Sequence, residues 1–185
     1  MRIALTGGIA CGKSLVGRYL NELGIETLDA DDVVHELIPA DERARLAKVV
    51  FADPAARKAL EARIHPLVKA RLEAFLAART AALRVVIVPL LFEVRWEKDF
   101  DIICCVGSVR EAQVSRMMTT RGYTREEAEA RLAAQMPVAE KAAKSHYVIA
   151  NDGSAEELRA AVVKFVEWIK MKGSQDVGAG ERTAS

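Results

Sequence analysis

Cysteine is scarce in this 185-residue chain: only Cys11, Cys104 and Cys105 occur, an odd number whose spacing suits neither a disulfide framework nor a zinc site. They read as reduced thiols. A long apolar run is missing at the start, where MRIALTGGIACGKS is apolar only through Leu5 before it meets glycines and a lysine. That excludes a signal-peptide core or a membrane span there, and the expected location is the cytoplasm. Neither charge dominates, since 27 Lys and Arg oppose 26 Asp and Glu for a formal net charge of +1. A global basic field for nucleic acid is thereby excluded. There is no internal repeat. Neither N-K-x-D nor D-x-x-G occurs, so the guanine-recognition and switch signals of GTPases are absent.

What is present is the balance of an ordinary globular protein, 51% hydrophobic and 29% charged, long enough for one well-buried core and too short for two full-sized domains. Arg2 to Thr6 reads as a buried strand that stops at Gly7-Gly8, followed by a helix with Leu15, Val16, Tyr19, Leu20 and Leu23 on one face and Gly24 at its end. Ile25 to Leu28 makes a second strand. From Asp41 to about Ala82 the pattern is helical, with Asp53-Pro54 as N-cap and first-turn proline and Pro66 opening another helix. Val85 to Val88 and Asp101 to Val106 are β-branched or apolar runs typical of strands buried on both faces, and Tyr147 to Ala150 is a last short strand. Ser108 to Glu111, Thr124 to Glu127 and Ser154 to Glu157 match the capping box and predict three helix starts. After Lys172 the tail GSQDVGAGERTAS is expected to be disordered. Strands alternating with helices give an α/β fold with a mainly parallel sheet.

The chemistry sits in Gly7-Gly8-Ile9-Ala10-Cys11-Gly12-Lys13-Ser14, which matches the Walker A pattern G-x-x-x-x-G-K-[ST]. A buried strand precedes it and an amphipathic helix follows, so the helix N-terminus aims free N–H groups and its positive dipole end at a phosphate. Lys13 reaches the β- and γ-phosphates of ATP as a point charge, and the Ser14 hydroxyl is the expected ligand of Mg2+. Cys11 is read as a small side chain whose backbone N–H matters. A reactive thiol favoured by the dipole and Lys13 is the alternative.

Strand Val85 to Val88 runs into Pro89-Leu90-Leu91-Phe92-Glu93 with no aspartate at its end, so the carboxylate of motor-type ATPases is missing and small-molecule kinases are the natural class. Such kinases need an acceptor-activating group and a basic lid. Asp31 follows the second strand at its carboxyl end, where a carboxylate can accept a hydrogen bond from an attacking hydroxyl. It competes with the bland role of capping the next helix, the role preferred for Asp32. Of Arg110, Arg116, Arg121, Arg125 and Arg131 in the helix pair after Ser108, Arg116 and Arg121 are selected as phosphate-contacting residues, the neighbouring glutamates marking much of that charge as a solvated face.

These residues resemble the dephospho-CoA kinase family. The likeness rests on LTGGIACGKS, LDADDVVHEL, VVFADPAARKALEARIHPLV, VVIVPLLFE, TTRGYTREEAEARLAAQM and HYVIANDGS, in that order along the chain. It implies a P-loop three-layer α/β/α fold with a five-stranded parallel sheet, a helical acceptor-binding insertion and a helical lid. On this chain the core would comprise 1–32, 83–108 and 136–172, the coenzyme A-binding region 33–82, the lid 109–135 and the tail 173–185. The phosphate loop falls on Gly8, Ala10, Cys11, Gly12, Lys13, Ser14 and Leu15, with Arg121 also on the nucleotide. Lys13, Asp31 and Arg116 are the implied catalytic residues, and Asp31 and His65 the substrate-binding ones. The implied reaction is ATP-dependent phosphorylation of the 3′-hydroxyl of dephospho-CoA, by a monomer or weak homo-oligomer that binds neither nucleic acid nor membrane.

Two departures from the family pattern stand out. Cys11 and Leu15 replace a usual serine and threonine, and the short segment IPADERARLAK follows LDADDVVHEL where a longer, glycine- and aspartate-rich turn is usual. Another acceptor, such as a nucleoside monophosphate, is the alternative. A regulator that binds ATP and transfers nothing is the third reading.

Overall fold

The computed structural model describes residues 1–39, 42, 43, 46, 53–78 and 83–180. Its strands are β1 (Ile3–Gly7), β2 (Glu26–Asp29), β3 (Arg84–Ile87), β4 (Ile102–Gly107) and β5 (Tyr147–Ala150). Its helices are α1 (Lys13–Glu22), α2 (Ala30–Leu37), α3 (Pro54–Ala77), α4 (Arg110–Arg121), α5 (Arg125–Ala133), α6 (Val138–Ala143) and α7 (Ala155–Gly180), with a 3-10 turn at Glu97–Asp99. All strand pairs are parallel, in the order β2-β3-β1-β4-β5.

β1 is central and buried along its whole length, which is why it reads as an unbroken apolar run rather than an alternation. Ile3 is in register with Val85 on one side and Ile102 on the other. Ile3 and Leu5 face a core shared with Val16 and Leu20 of α1 and with Leu158, Val162, Phe165, Val166 and Ile169 of α7. Ala4, Val86 and Ile103 face the opposite core with Val33 of α2 and Val68 and Leu72 of α3. Helices thus cover both sheet faces, and every strand delivers its carboxyl end to one rim. β1 has β3 on one side and β4 on the other, so the chain's crossovers diverge there and leave a crevice.

Four local expectations are corrected. Pro66 does not open a helix but lies inside α3, which continues across it because Val68 and Leu72 beyond the proline are buried against the second core. Their burial offsets the cost of an interior proline, about 3 kcal/mol. Ser108 forms no capping box. Its hydroxyl is drawn to the Asn151 carbonyl (3.1 Å) and the Asp152 carboxylate (2.8 Å), and α4 starts after Val109 with no side-chain cap. The cap of α2 is Asp29, whose carboxylate accepts from the Asp31 N–H at 2.9 Å, and not Asp32. Over 173–180 the tail continues α7, since no proline stops that helix and each added residue of a formed helix gains a backbone hydrogen bond, and 181–185 lie outside the described residues. The capping boxes at Thr124 and Ser154 are both present. The Val49 to Phe51 motif and parts of the helical stretch expected over 41–82 lie outside the described residues.

Candidate active site

A cleft of about 350 Å³ opens at the rim, lined by Ile9, Ala10 and Gly12 to Ser14 of the phosphate loop, by Asp29, Asp31 and Pro89, and by Arg116, Thr120, Arg121 and Gln135. The topology brings them together: the loop leaves β1, Asp29 and Asp31 leave β2, Pro89 leaves β3 and the arginines ride on α4, which follows β4.

The loop turns sharply into α1. Gly12, its last residue, has φ +93°, and a Cβ there would lie 2.3 Å from Asn151 Nδ2. The Asn151 side chain donates to the Cys11 carbonyl at 2.8 Å, so the last strand's exit presses on the loop. Lys13 Nζ donates to the carbonyls of Gly7 (3.0 Å) and Gly8 (2.8 Å), curling back over the loop. Burial lowers the Lys13 pKa, and Lys141 lowers it further, against the smaller raising effect of the Asp31 and Asp29 carboxylates. Ser14 is exposed at the cleft and Leu15 turns its side chain to the core. Cys11 is fully buried, and burial raises its thiol pKa against the smaller lowering effect of Lys13. The reactive-thiol alternative is therefore disfavoured.

Asp31 is exposed in the first turn of α2 and lines the cleft opposite the loop. Asp29, beside it, is half-buried, and desolvation raises its pKa. The five arginines separate by what they touch. Arg110 pairs with Glu129, Arg125 pairs with Glu111 at 2.5 Å, and Arg131 lies 4.3 Å above the Tyr123 ring. Arg116 and Arg121 line the cleft. Arg116 donates to Ala10 O (3.2 Å), Ser108 Oγ (3.1 Å) and Asn151 O (2.6 Å), which joins α4 to the loop. His65 is not brought to the cleft. It stands edge-on to Trp96, ring centroids 5.7 Å apart, on the flank of α3.

Several residues about the site carry no sequence signal. Lys141 of α6 is fully buried, yet it pairs with Glu93 at 2.8 Å and donates to Pro89 O at 2.8 Å, fixing the segment after β3. A single lysine in a short helix gives no pattern from which to read that. Gln113 and Gln135 both reach the backbone of Ile9, and Asn151 reads from sequence only as a turn residue.

A strand, a glycine loop with an invading lysine, a helix, a carboxylate across the crevice and two arginines above it define a P-loop kinase of small molecules. The sequence model of the dephospho-CoA kinase family matches residues 1–44 and 39–157. Curated dephospho-CoA kinases of Geobacter sulfurreducens and Symbiobacterium thermophilum are 39% and 38% identical, over 91% and 86% of this chain and 97% and 77% of their own lengths. The crystal structure of TT1252 from Thermus thermophilus superposes with a TM-score of 0.76 at 36% identity, covering 90% of this chain and 97% of that one. The chain belongs to the dephospho-CoA kinase family. The two matched segments meet at 39–44, inside the segment that reads as shortened.

Proposed function

We infer that the chain transfers the γ-phosphoryl group of ATP to dephospho-CoA, at the 3′-hydroxyl of the ribose, to give coenzyme A. The observation that carries this reading is one crevice holding both Lys13 of the phosphate loop and, across from it, Asp31. Simple ATP binding requires no carboxylate opposite the γ-phosphate.

In this reading the loop N–H groups and Lys13 hold the phosphates, with Lys13 giving up its contacts to Gly7 and Gly8 for phosphate oxygens. Asp31 accepts a hydrogen bond from the acceptor hydroxyl, orients it in line and takes its proton as the new O–P bond forms and the bond to the ADP oxygen breaks. Arg116 and Arg121 face charge on the transferring group. Residues 109–135 act as the lid and residues 33–82 hold the coenzyme A part, with His65 on that side. The exposed Ser14 hydroxyl and the Asp29 carboxyl line the same cleft, hard oxygen donors of the kind that fits Mg2+. Bound there, the ion would neutralise phosphate charge. No described helix is long and apolar enough to cross a membrane, which supports a cytoplasmic reaction.

Coupled ADP release tests the acceptor. With ATP and magnesium, release that requires dephospho-CoA supports the reading. The division of the family match into two segments that overlap at 39–44, on the acceptor side, favours one second reading, in which the same chemistry serves another acceptor. Release with nucleoside monophosphates but not with dephospho-CoA would establish that reading instead.

A further inference from the structure

Five successive carbonyls of the phosphate loop, Gly7 to Cys11, each accept a hydrogen bond from a side chain. Lys13 serves the first two. The next three are served from elsewhere in the fold: Gln113 Nε2 donates to Ile9 O at 2.7 Å, Arg116 to Ala10 O and Asn151 Nδ2 to Cys11 O. Gln135 Oε1 accepts from the Ile9 N–H at 3.2 Å, so both polar groups of that residue are held.

The peptide unit is planar and trans, so a carbonyl drawn one way turns the following N–H the other way. Holding Ile9 O and Cys11 O outward therefore turns the N–H groups of Ala10 and Gly12 inward, and both residues line the cleft. The intervening Cys11 N–H closes a turn on Gly8 O at 3.3 Å. Ala10 has φ +58°, a left-handed conformation that costs a non-glycine residue about 1–2 kcal/mol and that the flanking donors hold in place. Successive N–H groups in such turns form an anion-binding concavity. Gln113 is built into this arrangement. It is 3% exposed, and a Cβ on Gly8 would lie 2.6 Å from its Nε2, so the carboxamide lies directly against the loop.

We propose that Gln113 and Asn151 are positioning residues that hold the carbonyls of the phosphate loop outward and so set its N–H groups for the phosphates of ATP. Neither touches the reacting atoms, and the proposal rests on the ATP-kinase reading of the cleft. Calorimetric titration with a non-hydrolysable ATP analogue and magnesium tests it on wild type and on Gln113→Met, Gln113→Glu and Asn151→Asp. Each loss of a donor is expected to weaken analogue binding roughly tenfold. Gln113→Glu, equal in shape to glutamine but facing an acceptor with an acceptor, should bind more weakly than Gln113→Met, while the KM for dephospho-CoA stays within about twofold. A pure packing role predicts the opposite order, because glutamate is the closer fit.

Wild-type affinity in Gln113→Met and Asn151→Asp, or equal losses for nucleotide and acceptor, would overturn the proposal. Asn151→Asp preserves size and carries the test alone if the Gln113 variants do not fold. A wild type that binds no ATP analogue sinks the kinase reading itself. A wild type that binds and transfers alongside unaffected variants sinks only the positioning role.

Discussion

Gly12→Ala places a methyl group where the structure has no room and no permissive backbone. The φ of +93° costs an alanine about 1–2 kcal/mol. The added Cβ would lie 2.3 Å from Asn151 Nδ2, so that side chain must withdraw from the Cys11 carbonyl. Asn151 is buried, and an amide left unsatisfied there costs about 1–3 kcal/mol more. The sum is about 3 kcal/mol, which for a chain of this size lowers the melting temperature by about 6–12 °C. Gly24→Ala is the internal control, with φ +78° and nothing within 4 Å of the added methyl, so it carries the backbone cost alone. It should shift the midpoint less, by about 2–8 °C. Thermal unfolding followed by circular dichroism measures both. Asn151→Ala in the Gly12→Ala background removes the atom in the way, so the double variant should lose less stability than the two single losses added together. Equal shifts for Gly12→Ala and Gly24→Ala, with additive losses in the double variant, would refute the claim that Asn151 braces the phosphate loop.

Lys141→Met takes the ammonium away from Glu93 and the Pro89 carbonyl, which keep only the Met136 N–H and the Thr6 hydroxyl, and is expected to cost about 3 kcal/mol in urea unfolding, with Glu93→Leu added to it restoring part of the loss. Burial raises the Asp29 pKa, so the folded chain keeps that proton to higher pH than the unfolded one. The stability this lends is full below the unfolded aspartate range and lost as pH rises through the folded pKa. Asp29→Asn keeps an oxygen for the Asp31 N–H, so it should match wild type in acid and exceed it at neutral pH in urea titrations across that range. Cys11 is fully buried with its thiol pKa raised, so Ellman's reagent should modify it only as fast as the structure opens. Immediate labelling of Cys11 in the native protein would contradict that.

The parts of the fold that follow from short-range rules are legible in the sequence. The apolar run of β1, the glycine loop and the amphipathic face of α1 predict the strand–loop–helix unit, and the 3.6-residue spacing of Leu158, Val162, Phe165 and Ile169 predicts the buried face of α7. The readings that fail do so because partners distant in sequence take over. Ser108 has the spacing of a cap, but Asn151 and Asp152 come to it from 43 and 44 residues away and claim its hydroxyl. Pro66 has the look of a helix start, but Val68 and Leu72 on its far side are buried with the rest of α3. In the site, Lys13 and Asp31 stand in patterns with chemical meaning. Gln113, Asn151 and Lys141 act through contacts 104, 140 and 52 residues away, and no local pattern encodes these.

The central claim is that the crevice shared by Lys13 and Asp31 moves a phosphoryl group from ATP to dephospho-CoA. The most direct test is mass analysis of the acceptor after incubation with the protein, ATP and magnesium, for wild type and Asp31→Asn, alongside analogue binding by both. The account predicts a phosphorylated acceptor from the wild type, and a rate at least about a hundredfold lower from Asp31→Asn at unchanged nucleotide affinity. An unmodified acceptor from a wild type that binds the ATP analogue, or an Asp31→Asn variant as fast as wild type, would contradict it.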